Sequence, residues 1–309
     1  MTSKGFGKTI LFNEHFVVYG IPSIVSAIYR YTTAEVRRFD GMECKIIDNR
    51  KAAPGYKEEK LEQQKKSVEN IFDAMELLPS DNWVEIELGG NLYASSGVGA
   101  SAASCVAIAR ALSDYYLITL SDEEINEIAY EGEKAYHGNP SGVDNTASTF
   151  GGLIWFKREP REVERIDIEP VEVVLGYSGK TANTTAAIEG VRKRKEENPR
   201  QYNEIFYCAN ELAHSARKAL EENDLKEVGH LMNINHQLLQ EIEISTPELD
   251  ELVELSVENG AYGAKLTGGG LGGNMVALTP GKDLQERVSS AIEEKGYEAT
   301  KTLIGAKSF

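Results

Sequence analysis

Five of the six residues from Gly268 to Gly273 are glycine, so this segment is expected to be a loop that interrupts any helix or strand on either side of it. Ordering so many glycines costs much backbone entropy, so a purely structural loop seldom contains them. Short apolar segments flank the loop, which predicts a strand, a loop and a second strand. Close approach of the backbone to a ligand explains the composition better than a flexible linker, and both interpretations stay open at this point.

A second glycine-containing loop occupies residues 95–103, between a predicted strand and a predicted helix. Its glycines permit a tight turn, and the helix that follows presents unpaired N–H groups and the positive end of its dipole. This arrangement is typical of a phosphate-binding loop. The alternative is an ordinary turn before a core helix. The loop lacks the Lys-Ser/Thr of a Walker A motif and the third glycine of a dinucleotide fingerprint.

The composition excludes several classes of partner. The chain has 309 residues, 41% of them hydrophobic, and a formal net charge of −16 at pH 7. That length allows a large core, and so acidic a surface disfavours nucleic acid and anionic membranes. We find neither a signal sequence nor an apolar run of about 18 residues, and expect no membrane association. Cys44, Cys105 and Cys208 lack metal-ligand spacing and predict reduced thiols in the cytoplasm.

Hydrophobic periodicity predicts a mixed α+β fold without the regular alternation of a doubly wound sheet. The predicted helices are residues 57–78, 102–117, a helix that opens at Ser121, most of 185–260 with breaks at Pro199 and Pro247, and 283–295. The predicted strands are residues 83–88, 151–156 and 171–177, with short strands and turns over 8–38. We interpret Lys57 to Lys66 as a solvated helix face. The chain is expected to form two lobes, residues 1–165 and 166–309.

Residues 131–146 place two carboxylates near glycine turns. A helix is expected to end at Gly138. Gly142 then permits a tight turn that presents Asp144, and a carboxylate on such a turn can orient a hydroxyl nucleophile and accept its proton. Glu133, about one turn before the helix end, could reach a metal ion beside bound phosphates. Taken singly, each residue has a structural alternative: turn capping for Asp144 and a solvated helix face for Glu133.

Together these segments resemble the GHMP kinases, the family of galacto-, homoserine, mevalonate and phosphomevalonate kinases. The resemblance extends over most of the chain. It is most specific in the stretch from His137 to Asn145 and in the Glu14-His15 pair within an apolar strand. The matching stretches are residues 7–20, 95–103, 131–152, 232–236 and 265–274.

The resemblance implies a kinase that uses ATP and Mg²⁺. It also implies a two-lobed GHMP kinase fold, with an S5-like N-terminal lobe that binds ATP and a ferredoxin-like C-terminal lobe. Asp144 would be the base or hydroxyl-orienting carboxylate, and Lys8 beside it would steady the reacting hydroxyl and γ-phosphoryl group. Ser101 and Glu133 would bind Mg²⁺. The residues that wrap the phosphates would be Gly97, Val98, Gly99, Ala100, Ser101, Ala102 and Ala103.

The substrate that the resemblance implies is mevalonate, with its 5-hydroxyl converted to 5-phosphomevalonate in isoprenoid biosynthesis. Glu14, His15 and Thr184 would contact mevalonate, and Lys180 would supply a positive charge for its carboxylate. A lone histidine on an apolar strand is usually a core residue, but the adjacent Glu14 favours a substrate role for His15. We also expect a cytoplasmic homodimer with no nucleic-acid or membrane partner.

Several positions depart from the family pattern, among them Asn13 and Ala100. Asn13 stands where the family usually has glycine before the Glu-His pair. Ala100 replaces the first serine of the usual Gly-Ser-Ser, which leaves Ser101 as the hydroxyl ligand for a metal. The alternatives are therefore a GHMP kinase for phosphomevalonate or a sugar, or an inactive homologue that binds ligand. Inactive copies usually lose the base or the lysine, whereas Lys8 and Asp144 are both present.

Overall fold

The computed structural model describes residues 2–41, 43–77 and 84–306, and within these ranges it contains ten strands and nine helices. The chain forms two compact units. The first contains residues 2–8 and Ile28–Gly151, and the second contains Thr9–Ala27 and residues 152–306. The chain thus passes between units within strands β1 (Ser3–Phe12) and β2 (Ser23–Arg38), and neither unit is one continuous stretch. The predicted lobes, 1–165 and 166–309, stay a prediction.

The first unit packs helices on a small sheet. Strand β4 pairs antiparallel with β2 over Thr32–Arg38 and parallel with β3. Buried side chains of three helices form one apolar cluster with β2 and β4, including Ile71, Ile86 and Val106. The elements of this unit are β3 (Lys45–Asp48), α1 (Tyr56–Ala74), β4 (Val84–Gly90), α2 (Ala100–Tyr116), α3 (Asp122–His137) and α4 (Val143–Phe150).

Local sequence signals explain where the helices of this unit begin and end. In α3, Ser121 is the N-cap: its hydroxyl accepts a hydrogen bond from the Glu124 N–H at 3.2 Å, and the Glu124 carboxylate accepts one from the Ser121 N–H at 2.7 Å. This capping box confirms the predicted start, and Gly138 confirms the predicted end. Helix α1 confirms most of the helix predicted over 57–78 but ends at Ala74, and residues 75–77 are not helical. Leu78 and Trp83, the residue before β4, lie outside the described residues.

The second unit contains an antiparallel sheet in the order β10-β7-β9-β8. Strand β5 pairs antiparallel with β6 and with residues Ser23–Ser26 of β2. One apolar cluster joins the sheet to its helices, with Val174, Phe206 and Leu266 fully or almost fully buried. The elements are a 3₁₀ turn (Phe16–Tyr19), β5 (Leu153–Lys157), β6 (Glu162–Ile166), β7 (Val171–Tyr177), α5 (Thr184–Glu197), α6 (Pro199–Glu221), α7 (Leu225–Glu241), α8 (Pro247–Glu258), β8 (Gly263–Thr267), β9 (Asn274–Leu278), α9 (Lys282–Glu294) and β10 (Glu298–Ile304).

The predicted α+β fold is confirmed, with differences in detail. Pro199 and Pro247 each occupy the first turn of a helix, where proline is tolerated, so the predicted breaks are confirmed. A further break was not predicted: Asn223 has a φ of +56°, and the Asp224 side chain caps α7. Residues 8–38 contain parts of two long strands instead of short ones, and β3, β6 and β10 were not predicted. No helix in the described part of the chain is long and apolar enough to span a membrane.

Candidate active site

The loop at residues 95–103 approaches Lys8 closely. Gly99 is the N-cap of α2 with a φ of +76°, and a Cβ atom there would lie 2.8 Å from the Lys8 Cγ. The Lys8 N–H also donates a hydrogen bond to the Val98 carbonyl at 2.9 Å. No side chain caps the start of α2 within the described residues, so the helix presents backbone N–H groups to a bound anion.

Lys8 and Asp144 form an ion pair beside this loop. The Lys8 Nζ lies 2.9 Å from the Asp144 Oδ1, with the Lys8 side chain 6% exposed and that of Asp144 30% exposed. Gly142, with a φ of +87°, is the N-cap of α4, so Asp144 lies in the first turn of a helix and not in an open turn as expected. A half-buried carboxylate next to a fixed ammonium can accept a proton from a hydroxyl while the cation offsets negative charge.

Glu133 faces the interior of the first unit. It is 1% exposed, so the alternative of a solvated helix face is wrong. Burial, and after it the negative charge of Asp144, raise the pKa of its carboxyl to about 8, although the Ser101 hydroxyl and Lys8 act in the opposite direction. A cation beside Glu133 and Ser101 would offset the cost of ionising this buried carboxyl.

The oxygen atoms of Ser101 and Glu133 fit Mg²⁺ in number and kind. Among the described residues, no group of three or more His, Cys, Asp or Glu side chains is placed to hold a metal ion. Mg²⁺ in kinases usually takes one or two protein oxygens and completes its shell with phosphate oxygens and water. A pair of oxygen ligands beside the loop at residues 95–103 would therefore fit a metal ion that arrives with a nucleotide.

Sequence reasoning missed a cavity that basic side chains line together with Ser101. Arg50 is buried and donates hydrogen bonds to the Ala100 carbonyl at 3.1 Å and the Ser104 hydroxyl at 2.5 Å. The Asp48 carboxylate balances its charge. The cavity is lined by Asp48, Arg50, Tyr56, Lys57, Lys60, Gln64, Ala94, Ser101 and Tyr136. The interpretation of Lys57 to Lys66 as wholly solvated is therefore wrong for Lys57 and Lys60.

The second glycine-rich loop packs against its own unit. The His15 Nε2 donates a hydrogen bond to the Gly269 carbonyl at 2.8 Å. A Cβ atom on Gly269 would lie 2.0 Å from the Thr184 Oγ1, so only glycine fits there. Glycine at this position allows close packing within the protein, which neither interpretation of the loop anticipated. The loop brings together His15 and Thr184, two of the predicted substrate ligands.

The surroundings of His15 fix its protonation. Burial lowers the pKa of His15, which favours the neutral imidazole near pH 7. Because a carbonyl only accepts, the hydrogen bond to Gly269 places the proton on Nε2. The Nδ1 atom then carries the lone pair of the ring and can accept a hydrogen bond from a substrate hydroxyl.

Lys180 lies beside the same loop, but its ammonium group forms an ion pair with Glu248. Its carbonyl accepts a hydrogen bond from the Gly273 N–H at 2.7 Å. Its ammonium lies 2.6 Å from the Glu248 Oε1 at the start of α8, and the Lys180 side chain is 58% exposed. To hold a substrate carboxylate, Lys180 would have to exchange Glu248 for the substrate.

Glu14 is buried, and its carboxylate forms an ion pair with Lys265, which sequence reasoning did not identify. The preceding residue, Asn13, has a φ of +69°, a conformation that asparagine tolerates better than most residues. Its side-chain amide donates to the Pro22 carbonyl at 2.8 Å and the Ala209 carbonyl at 2.9 Å. Asn13 therefore satisfies the backbone conformation that glycine provides in the family pattern, and adds hydrogen bonds.

Comparison with known families agrees with these features. Residues 65–152 match the model of the GHMP kinases N terminal domain, and residues 216–298 match the model of the GHMP kinases C terminal domain. The two matches cover more than half of the chain. The chain belongs to the GHMP kinase family. Membership of this family of kinases implies ATP as the phosphoryl donor and a small-molecule acceptor.

Several similar proteins are mevalonate kinases. The chain is 34% identical to mevalonate kinase of Pyrococcus horikoshii over 308 residues, which cover 94% of this chain and 91% of the relative. It is 32% identical to mevalonate kinase of Saccharolobus solfataricus, with 88% and 87% covered. The crystal structure of L. major mevalonate kinase in complex with R-mevalonate has a TM-score of 0.94 and 36% identity, covering 100% of this chain and 97% of that one. The GHMP kinase fold is confirmed.

Proposed function

We propose that the protein transfers the γ-phosphoryl group of ATP to the 5-hydroxyl of mevalonate, giving 5-phosphomevalonate and ADP. The observation that carries the proposal is the similarity, over the whole chain, to a mevalonate kinase crystallised with R-mevalonate. The intact Lys8–Asp144 ion pair supports activity and disfavours an inactive homologue.

In this proposal Asp144 orients the acceptor hydroxyl and accepts its proton, and Lys8 offsets the negative charge that develops on the reacting oxygens. The loop from Gly97 to Ala103 binds the phosphates through backbone N–H groups. Ser101 and Glu133 would hold Mg²⁺, which would supply positive charge that offsets the negative charge of the phosphates.

An assay of ADP release tests the function directly. Purified protein is supplied with ATP, Mg²⁺ and one acceptor at a time: mevalonate, phosphomevalonate, galactose or homoserine. Mevalonate is expected to give the highest kcat/KM. Faster turnover of another acceptor overturns the substrate proposal and leaves a GHMP kinase of different specificity, whereas no turnover of any acceptor supports a ligand-binding homologue.

Replacing His15 with Ala tests the proposed binding of mevalonate by Glu14, His15 and Thr184. The substitution removes the acceptor of one substrate hydroxyl, and leaving a buried polar group without its partner costs about 1–3 kcal/mol. The KM for mevalonate should rise roughly 10- to 100-fold, with the KM for ATP nearly unchanged.

A purely structural His15 gives a different pattern, because its Nε2 also holds the Gly269 carbonyl. If His15 has only this structural role, His15→Ala should have a lower Tm and a normal KM for mevalonate. His230→Ala is the matched control, since His230 is exposed on α7 in the same unit, and it should change neither quantity.

Replacing Glu133 with Gln tests the proposed metal site. The amide keeps the shape of the side chain and removes the charge that a metal ligand needs. The Mg²⁺ concentration for half-maximal activity should rise roughly 10- to 100-fold, which corresponds to about 1.5–3 kcal/mol. Glu131→Gln is the control, because Glu131 lies on the same helix in an exposed ion pair with Lys134. An unchanged Mg²⁺ titration for Glu133→Gln would remove this carboxylate from the metal site.

Lys180 is proposed as the partner of the mevalonate carboxylate after it releases Glu248. A cytoplasmic location is proposed on the three free cysteines, Cys44, Cys105 and Cys208. A homodimer is proposed as the oligomeric state, and light scattering of the purified protein would test it.

A further inference from the structure

The second unit contains a fully buried lysine. Lys265 on β8 is 0% exposed, and its ammonium contacts the Glu14 carboxylate and donates a hydrogen bond to the Leu266 carbonyl at 2.6 Å. Glu14 itself is 4% exposed. Lysine and glutamate are almost never buried to this degree unless they are paired. The pair therefore removes two charges from water, and one result is a carboxylate held at this position.

The surroundings hold the lysine end of the pair in place. The Leu266 N–H donates to the His236 Nδ1 at 3.3 Å, so the proton of this ring is on Nε2, which lies 3.0 Å from the Asp250 Oδ1. The Ser245 hydroxyl donates to the same Asp250 oxygen at 2.5 Å. Burial holds the pKa of His236 down at about 4, with a smaller contribution from the charge of Lys265. His236 is therefore neutral and acts as a fixed support for β8.

The glutamate end of the pair is held as well. The Asn13 N–H donates to the Asn235 Oδ1 at 3.1 Å, and the Asn235 amide donates back to the Asn13 Oδ1 at 3.1 Å. The residue after Glu14, His15, is held by the Gly269 carbonyl. The Glu14 carboxylate therefore has little freedom to change its position. Residues of a binding site need to be held in place by their neighbours in this way.

Stability does not explain why such a pair is present. Withdrawing two charges from water costs free energy that their attraction only partly returns, and apolar side chains of similar volume often give equal or greater stability. A buried carboxylate that has lost its cation tends to become protonated, and it then no longer offers two acceptor oxygens to a ligand hydroxyl. A cation at Lys265 prevents that loss.

We propose that Lys265 is a positioning residue that keeps Glu14 charged and oriented as a hydrogen-bond acceptor for the hydroxyl groups of the phosphoryl acceptor. The inference rests on the proposed function, in which Glu14 contacts mevalonate. Lys265 acts through Glu14 and does not itself touch the substrate.

A double-mutant cycle separates this role from a structural one. The variants are Lys265→Met, Glu14→Gln and the two combined, with the KM for mevalonate, the KM for ATP and the Tm measured for each. Lys265→Met should raise the KM for mevalonate roughly 10- to 100-fold, as for the loss of one hydrogen bond to a charged group, and leave the KM for ATP unchanged. Its Tm should fall by roughly 5–15 °C because a buried charge is left alone.

The combined variant is decisive. Since Lys265 acts only through Glu14, adding Lys265→Met to Glu14→Gln should not raise the KM for mevalonate further, and the Tm should recover relative to Lys265→Met. Multiplied effects on KM, or a normal KM in Lys265→Met, overturn the proposal. Lys301→Met is the control, since Lys301 pairs with Glu286 on the surface of the same unit.

A second variant covers the case in which Lys265→Met does not fold. Lys265→Gln keeps a donor toward Glu14 without the charge, and its KM for mevalonate should be raised and should fall as pH rises, because Glu14 then becomes ionised. The neighbouring groups that titrate are His15 and His236, whose pKa values burial lowers. A KM that equals that of the wild type at every pH overturns the proposal. If the wild type prefers another acceptor, the proposed function fails, and the same cycle is run with that acceptor.

Discussion

Asp144→Asn is expected to lower kcat by roughly 10²–10⁴, the loss that follows removal of a positioned proton acceptor. Asparagine keeps the shape of the side chain in the first turn of α4 but cannot take the proton of the acceptor hydroxyl. Lys8, whose Nζ lies 2.9 Å from the Asp144 Oδ1, would lose its negative partner and still occupy the same position. The KM for ATP should change little, because the phosphate loop is a separate segment.

The measurement is steady-state ADP release with mevalonate, supported by circular dichroism to show that the fold is intact. Asp73→Asn is the matched control: Asp73 is an exposed carboxylate on α1 of the same unit, and its loss should leave kcat unchanged. A variant at Asp144 that keeps most of its kcat would exclude this carboxylate as the proton acceptor.

Features encoded within a few residues could be predicted from the sequence. The capping box of Ser121 and Glu124, the glycine that ends α3 and the prolines that begin α6 and α8 all act through hydrogen bonds or dihedral angles of adjacent residues. For the same reason the sequence predicted the glycine-containing loop before α2, because glycines before an apolar helix are a local pattern. Strand β6 was missed because two of its five residues are glutamate and one is arginine, a poor strand pattern.

Features that depend on distant partners could not be predicted. Lys265 lies 251 residues from Glu14, and nothing near it in sequence indicates a buried ion pair. Arg50 meets Ser104 across 54 residues, so its contact with the start of α2 appears only in the structure. The resemblance of the surrounding motif to the GHMP kinases indicated Glu133 as a metal ligand. The burial of the Glu133 side chain could not be predicted, because it results from the packing of α3 against α1 and α2. Of Lys265, Arg50 and Glu133, the resemblance identified only Glu133 as a candidate, and tertiary packing determines the charge and surroundings of all three side chains.

Lys8→Met is expected to lower kcat roughly 10²–10³-fold, as for removal of one preorganised group that stabilises charge in the transition state. Methionine retains most of the length and the apolar character of the lysine stem, which packs against Gly99 in a space that would not admit a Cβ atom. The fold should therefore survive and the effect report on the ammonium. Lys4→Met is the control: Lys4 lies on the same strand with its ammonium 4.7 Å from the centre of the Tyr31 ring, and its loss should leave kcat unchanged.

Combining Lys8→Met with Asp144→Asn tests whether the ion pair acts as a unit. Groups that stabilise one transition state together are strongly non-additive, so the double variant should be about as slow as the slower single variant. If the two reductions in kcat multiply, Lys8 and Asp144 contribute to catalysis independently, although their side chains are 2.9 Å apart. If Lys8→Met instead raises the KM for ATP with kcat unchanged, the ammonium serves only to bind nucleotide. An interaction that is lost equally from the ground state and the transition state leaves kcat unchanged.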